Sequence, residues 1–225
     1  MMKKSIVTFC ECMLMEFIDF KDLIKIGAYY KSELILYWNL IKNTLYLKIN
    51  FMSEQPSEEN KQLSSYITNI IGINKIIDRH YDVDKKKYID IFTCDDPLYP
   101  RIKICGTIGV SDHPNEIEMS DSTLKNISIE LLIAGYTEHK MMAKILSTAA
   151  FYIINKGWEC QPGSVFMRIV EMYFETSQMK HIMFISPFLW EDKLKPLKLT
   201  TKTVHWLFGI PISDKELEYK MELRH

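Results

Sequence analysis

Apolar residues spaced two apart dominate residues 74–136, and this pattern limits the possible folds more than any other feature of the chain. Side chains of an extended strand point alternately to opposite faces, so such spacing reads as sheet. Residues 74–84 and 86–96 make a plausible pair, with Lys85 and Lys86 at the turn. In the second run Ile89 and Ile91 face one way, and Tyr88, Asp90 and Phe92 the other. The segment DDPLYP is a loop, because Pro97 and Pro100 cannot donate to a ladder. Alternation resumes in RIKICGTIGV and again in NISIELLIAGY. HIMFIS and KTVHWLFGIPI add two later strands.

Helical spacing lies outside this block. Ser57 can cap a helix in which Leu63, Tyr66, Ile67, Ile70 and Ile71 recur three and four apart, ending at Gly72. A longer helix is predicted over residues 138–156, with Thr137 as cap, Gly157 as stop, and Met142, Ile145, Leu146, Ala149, Tyr152 and Ile153 as its apolar stripe. Ser213 and Glu216 match the capping-box spacing and open a terminal helix. Strands in runs with helices between blocks indicate an α+β fold. The domain begins near Met52, so residues 52–225 form the main unit. Residues 1–51 read either as an extra subdomain or as the product of an upstream start site.

Composition removes several functions. A net charge of −1 gives no global basic field for nucleic acid or for an anionic membrane. No stretch approaches the ~20 apolar residues of a membrane span. Glu11, Glu16 and Asp19 interrupt the first apolar run, which has no small-residue cleavage site after it. The expected location is the cytoplasm. Five cysteines, odd in number and widely spaced, do not form a disulfide framework, and the lone Cys10-x-Cys12 falls short of the roughly four ligands of a zinc site.

The segment GTIGVSDHP raises three chemical possibilities. It lacks the spacing and the lysine of a P-loop, and Asp112 and Glu116 would repel a phosphate. It also lacks the G-x-S-x-G of a nucleophile elbow. Ser111 and His113 are therefore read as turn residues. His80, Asp82 and His113 are the residues a metal-dependent hydrolase would use, with a solvated hairpin end as the simpler reading of the first two. His205, inside an apolar strand, reads as a hydrogen-bonded core residue. The expectation is no metal and no cofactor.

Charge is uneven. Residues 88–121 carry seven acids (Asp90, Asp95, Asp96, Asp112, Glu116, Glu118, Asp121) against two bases, Arg101 and Lys103. Most of this acid flanks RIKICGTIGV; the simpler reading is two ordinary solvated loops, but if the two lie together they form a negative patch that steers a basic partner.

Taken in order, YDV…YIDIFTC, ICGTIGVSDHP, ISIELLIAGY, MAKILSTAAFYIINK with GWECQPGSVF, and HWLFGIPISDKELEY resemble the suppressor-of-fused-like domain, its bacterial members above all. The resemblance runs from about Ser57 onward and leaves out residues 1–51. It implies a single α+β domain, a twisted mixed or antiparallel sheet covered by helices. It also implies a non-catalytic immunity protein, or antitoxin, that covers the active surface of a secreted bacterial toxin such as a nuclease. The alternative it leaves is an adaptor that masks a regulatory protein. Asp90, Thr107, Gly109, Ser111, Glu130, Gly163, Pro211 and Glu216 match the recurrent motifs and are expected to be mostly structural. The expected partner contacts are Asp95, Asp96, Asp112, Glu116, Glu118 and Asp121, with Tyr99 and Trp158 as aromatic anchors.

Overall fold

The ten strands described below form two sheets, one of eight strands, which β9 joins through β10, and one of two. The computed structural model describes residues 55–119, 121–190 and 193–223. Residues 1–51, with Cys10 and Cys12, lie outside the described residues. The order is α1 (Glu58–Ile71), β1 (Ile73–Tyr81), β2 (Tyr88–Asp95), β3 (Ile102–Ile108), a 3-10 turn (Val110–Asp112), β4 (Glu116–Glu118) and β5 (Leu124–Asn126). Then come β6 (Ile129–Tyr136), α2 (Met142–Lys156), β7 (Val165–Phe166), β8 (Met179–Ile185), β9 (Leu197–Lys198), β10 (Thr203–Ser213) and α3 (Asp214–Glu222).

The main sheet runs β1-β2-β3-β6-β10-β8-β7. All its pairs are antiparallel except β6–β10, so the sheet is mixed and the fold α+β, as expected. β4 and β5 form a separate hairpin.

Both faces of the sheet are covered, which is why the central strands are apolar on both sides. Ile89, Ile91, Leu131 and Ile133 join Ile145, Leu146 and Ala149 of α2 in one core. Phe92, Ile104, Leu132 and Phe208 join Leu63, Ile67 and Ile71 of α1 in the other. The alternation in β2 therefore separates two cores, not core from solvent.

Ser57 caps α1 by accepting from the Asn60 amide at 3.1 Å. Ser213 and Glu216 form the complete capping box of α3. The start of α2 differs from expectation: the helix begins at Met142, without a side-chain cap. The Thr137 amide instead donates to the Arg101 carbonyl at 2.9 Å, and its hydroxyl donates to Glu138. Glu138 is in turn paired with Arg101. Thr137 therefore ties this loop to the approach of β3, five residues ahead of the helix and out of capping position.

His205 is exposed, contrary to the expectation of a core residue. Among the described residues the buried histidine is His181: its Nδ1 accepts from the Arg168 amide at 2.8 Å and its Nε2 meets Asp214 at 2.9 Å. Cys94, Cys105 and Cys160 are free and buried. Burial pushes all three thiols up, Cys94 to about 11. Alkylation with peptide mapping should leave these three unmodified at neutral pH until denaturant is added. Labelling of any of them in the native protein would contradict their burial.

Candidate functional site

The turn after β3 is organised from inside. Glu130, on β6, is fully buried. Its carboxyl accepts from the Thr107 hydroxyl at 2.6 Å and from the amides of Gly109, Ser111 and Val110 at 2.9, 3.1 and 3.3 Å. Thr107 is fixed in turn, because its oxygen accepts from the Leu131 amide at 2.9 Å. Gly109 has φ 109°, in the left-handed region, which lets three successive amides converge. Thus the matched residues Thr107, Gly109, Ser111 and Glu130 form one constellation. The turn is a cradle of donors after all, and what it holds is the chain's own carboxyl.

Burial raises the Glu130 carboxyl above its ordinary range, against donors that pull it down. A carboxyl raised in the folded state takes up a proton on folding. Its contribution to stability is therefore full below the unfolded value and is lost as pH rises through the folded one. Glu130→Gln should flatten that part of a stability–pH curve measured by urea unfolding; an unaltered slope would contradict the direction.

Gly106 has a different role from the one its place beside the turn suggests. It lies within β3, where a Cβ would collide with the Phe92 ring and come within 2.6 Å of a Leu132 methyl. Its missing side chain makes room for the ring.

Beyond Ser111 the turn reaches outward. Asp112 accepts from Asn60 Nδ2 of α1 at 2.8 Å and pairs with Lys202 ahead of β10. A cleft of about 260 Å³ opens here, lined by Asn60, Lys86, Lys87, Tyr88, Asp90 and His113 among others. Asp90 is engaged with Arg79 at 2.8 and 3.1 Å, and the Arg79 guanidinium lies 4.0 Å from the Tyr88 ring centre.

Next in the chain, Asn115 clamps two segments. It is buried, its side chain donates to the Cys160 carbonyl at 3.0 Å, and its Oδ1 accepts from the Cys160 amide at 3.0 Å. This joins the base of the β4–β5 hairpin to the segment after α2. Glu116 pairs with Asn126 and Glu118 with Leu124. Directly opposite residues share a face, so Glu116, Glu118 and Leu124 point outward while Ile117 enters the core. Leu124 is 67% exposed and Met119 40%. Trp158 is 40% exposed, its ring 4.5 Å from Tyr152 and edge-on to Phe166 at 5.1 Å. Asn115→Ala should cost about 2 kcal/mol, since it leaves the buried Cys160 amide and carbonyl without those partners. Hydrogen exchange at Cys160 checks this; an unchanged rate would contradict the clamp.

The predicted acidic patch divides in two. Asp95, Asp96 and Tyr99 lie before β3, and Asp112, Glu116, Glu118 and Asp121 after it. A seven-residue strand separates the groups, about 20 Å in length, so the two loops do not lie together. Several of the acids also have local duties. Asp95 pairs with Lys103, and Asp96 accepts from the Leu98 and Tyr99 amides. Asp112 is held as described, and Asp121 accepts from Thr123. Tyr99 is 65% exposed.

Three matched positions lie away from this turn. The Gly163 amide donates to Phe184 at 2.7 Å. Pro211 sits in β10 opposite Ile182, past the last pair with β6. Glu216 closes the α3 cap. His80 and Asp82 line a second cleft, of about 400 Å³ against α2, whereas His113 lines the first, so the three do not converge. Asp82 accepts from the Lys86 and Lys87 amides, ordering the β1–β2 turn. Among the described residues no three His, Cys, Asp or Glu gather as a metal set. No described helix is long and apolar enough to cross a membrane.

An α+β domain whose central turn is folded around an internal carboxyl, with a cleft and an outward hairpin beside it, is the scaffold that the sequence motifs describe. Residues 85–223 match the family model "Suppressor of fused protein (SUFU)", and the chain belongs to that family. Over 162 residues it is 36% identical to Immunity protein YqcF of Bacillus subtilis (strain 168), covering 72% of this chain and 83% of that protein. Two solved structures are similar at 14% identity. One is a SUFU homologue from Neisseria gonorrhoeae FA 1090, with a TM-score of 0.46 and coverage of 73% of this chain and 89% of that one. The other is a chain of the Sufu–Fu complex, with a TM-score of 0.48 and coverage of 72% and 77%.

Proposed function

We propose that the protein is an immunity protein that works by binding: it covers the active surface of a cognate bacterial toxin in the cytoplasm and turns nothing over. The observation that carries this reading is the 36% identity, across 72% of the chain, with a protein named for immunity. Ser111 is consistent with it. The residue is only 4% exposed, so its hydroxyl is not presented to a substrate.

The contact face in this reading is the outward side of the β4–β5 hairpin, with Glu116, Glu118 and Asp121 around exposed Leu124 and Met119. Trp158, held nearby through the Asn115 clamp, is its aromatic anchor. Carboxylates beside exposed apolar groups suit a partner rich in lysine and arginine, as a nuclease must be to hold phosphate. Asp95, Asp96 and Tyr99 form a second, separate contact.

Co-expression with a toxin domain, should one be encoded beside its gene, tests the reading. Cells carrying both should grow, and cells carrying the toxin alone should not. Continued killing in the presence of soluble, folded immunity protein would overturn it.

A further inference from the structure

We infer that the Thr107–Ser111 turn is a carboxyl receptor which the chain fills with its own Glu130, and that Glu130 is the positioning residue for the Asp112 clamp built on that turn. The receptor consists of one hydroxyl and three backbone amides, all within 3.3 Å of the same carboxyl group. These four partners are neutral donors. Successive backbone amides around a concavity are the arrangement by which proteins capture a free phosphate or carboxylate. Here the occupant is tethered 19 to 23 residues away in the chain, so it competes at high effective concentration with anything in solution.

The consequence reaches the surface. Asp112 follows Ser111 directly and joins α1 through Asn60 to the approach of β10 through Lys202, links of 52 and 90 residues. Asn115, three residues on, fixes the hairpin to Cys160. Without a carboxyl in the receptor, the three amides lose their common acceptor, and the path of the chain into both clamps is no longer set. Turn chemistry alone does not supply this: Gly109 permits the bend, and Glu130 selects it.

The inference predicts chemical rescue. In the full chain, Glu130→Ala should lower Tm by about 10 °C. Formate should restore part of that loss with a saturable dose dependence, and chloride at equal ionic strength should not. Formate should leave wild type and Glu130→Gln unmoved, because their receptors are filled. Equal effects of formate and chloride, or equal gains in all three proteins, would overturn the inference.

A measurement on the wild type serves if Glu130→Ala does not fold. The amide resonances of Gly109 and Ser111 should shift together with the Glu130 carboxyl carbon as that group titrates, and Asp112 should follow. Amides indifferent to the Glu130 titration would refute the receptor. Neither experiment involves a toxin, so their outcome is independent of the proposed function.

Discussion

Gly106→Val should be among the most damaging single changes in the chain, lowering unfolding free energy by about 3 kcal/mol or more. The position looks permissive, since it is a glycine close to a turn. Yet it is in the middle of β3, pairing with Phe92 on one side and Leu132 on the other. Phe92 is 1% exposed and lies across it, and even one added methyl would meet the ring and a Leu132 methyl. The neighbours are themselves packed against α1, so they have nowhere to move. Urea unfolding of the variant measures the cost. A companion change gives the cause: Phe92→Ala should be less harmful in the Gly106→Val background than alone, because it relieves the collision. Additive losses would place the damage in the backbone instead.

The second large effect concerns binding. Reversing Glu116, Glu118 and Asp121 together should slow association with a basic partner by about tenfold at low salt, and the difference should shrink as salt rises. Trp158→Ala should act mainly on dissociation, speeding it by about tenfold or more, as loss of a central aromatic contact does. Asp112→Lys belongs to a different class, because its carboxylate holds Asn60 and Lys202. It should destabilise the fold, and it is no measure of surface charge. Stopped-flow association, with circular dichroism as a folding control, separates the three outcomes. Unaltered rates for the triple reversal would remove the hairpin from the contact face.

Much of this architecture was legible in the sequence because it depends on local rules. The Ser57 cap, the Ser213–Glu216 box, the Pro97–Pro100 loop and the apolar stripe of α2 are each set by neighbours within a few residues. What the sequence concealed depends on partners brought from far away. Glu130 is marked by the motif match as structural, but nothing local reveals that four donors from residues 107–111 close over it. Gly106 and Gly109 look alike on the page, but one answers to a ring and the other to a backbone angle. Thr137 has the chemistry of a cap, but its amide is drawn to Arg101 across the sheet end and the helix starts five residues later. The acidic stretch is a real excess of charge, but a strand of extended chain runs through its centre, so proximity in sequence became separation in space. His205 sits in an apolar strand but on its exposed side, because alternation puts its neighbours Val204 and Trp206, and not His205, in the core.

Titrating the purified protein into the toxin domain proposed as its partner, with that domain's own reaction as readout, tests the central claim most directly. Inhibition by stoichiometric occlusion predicts a linear fall in toxin activity that ends at a fixed molar ratio, with toxin recovered intact from the complex. Full toxin activity in the presence of excess folded protein, or toxin chemically altered by catalytic amounts of it, would contradict the claim.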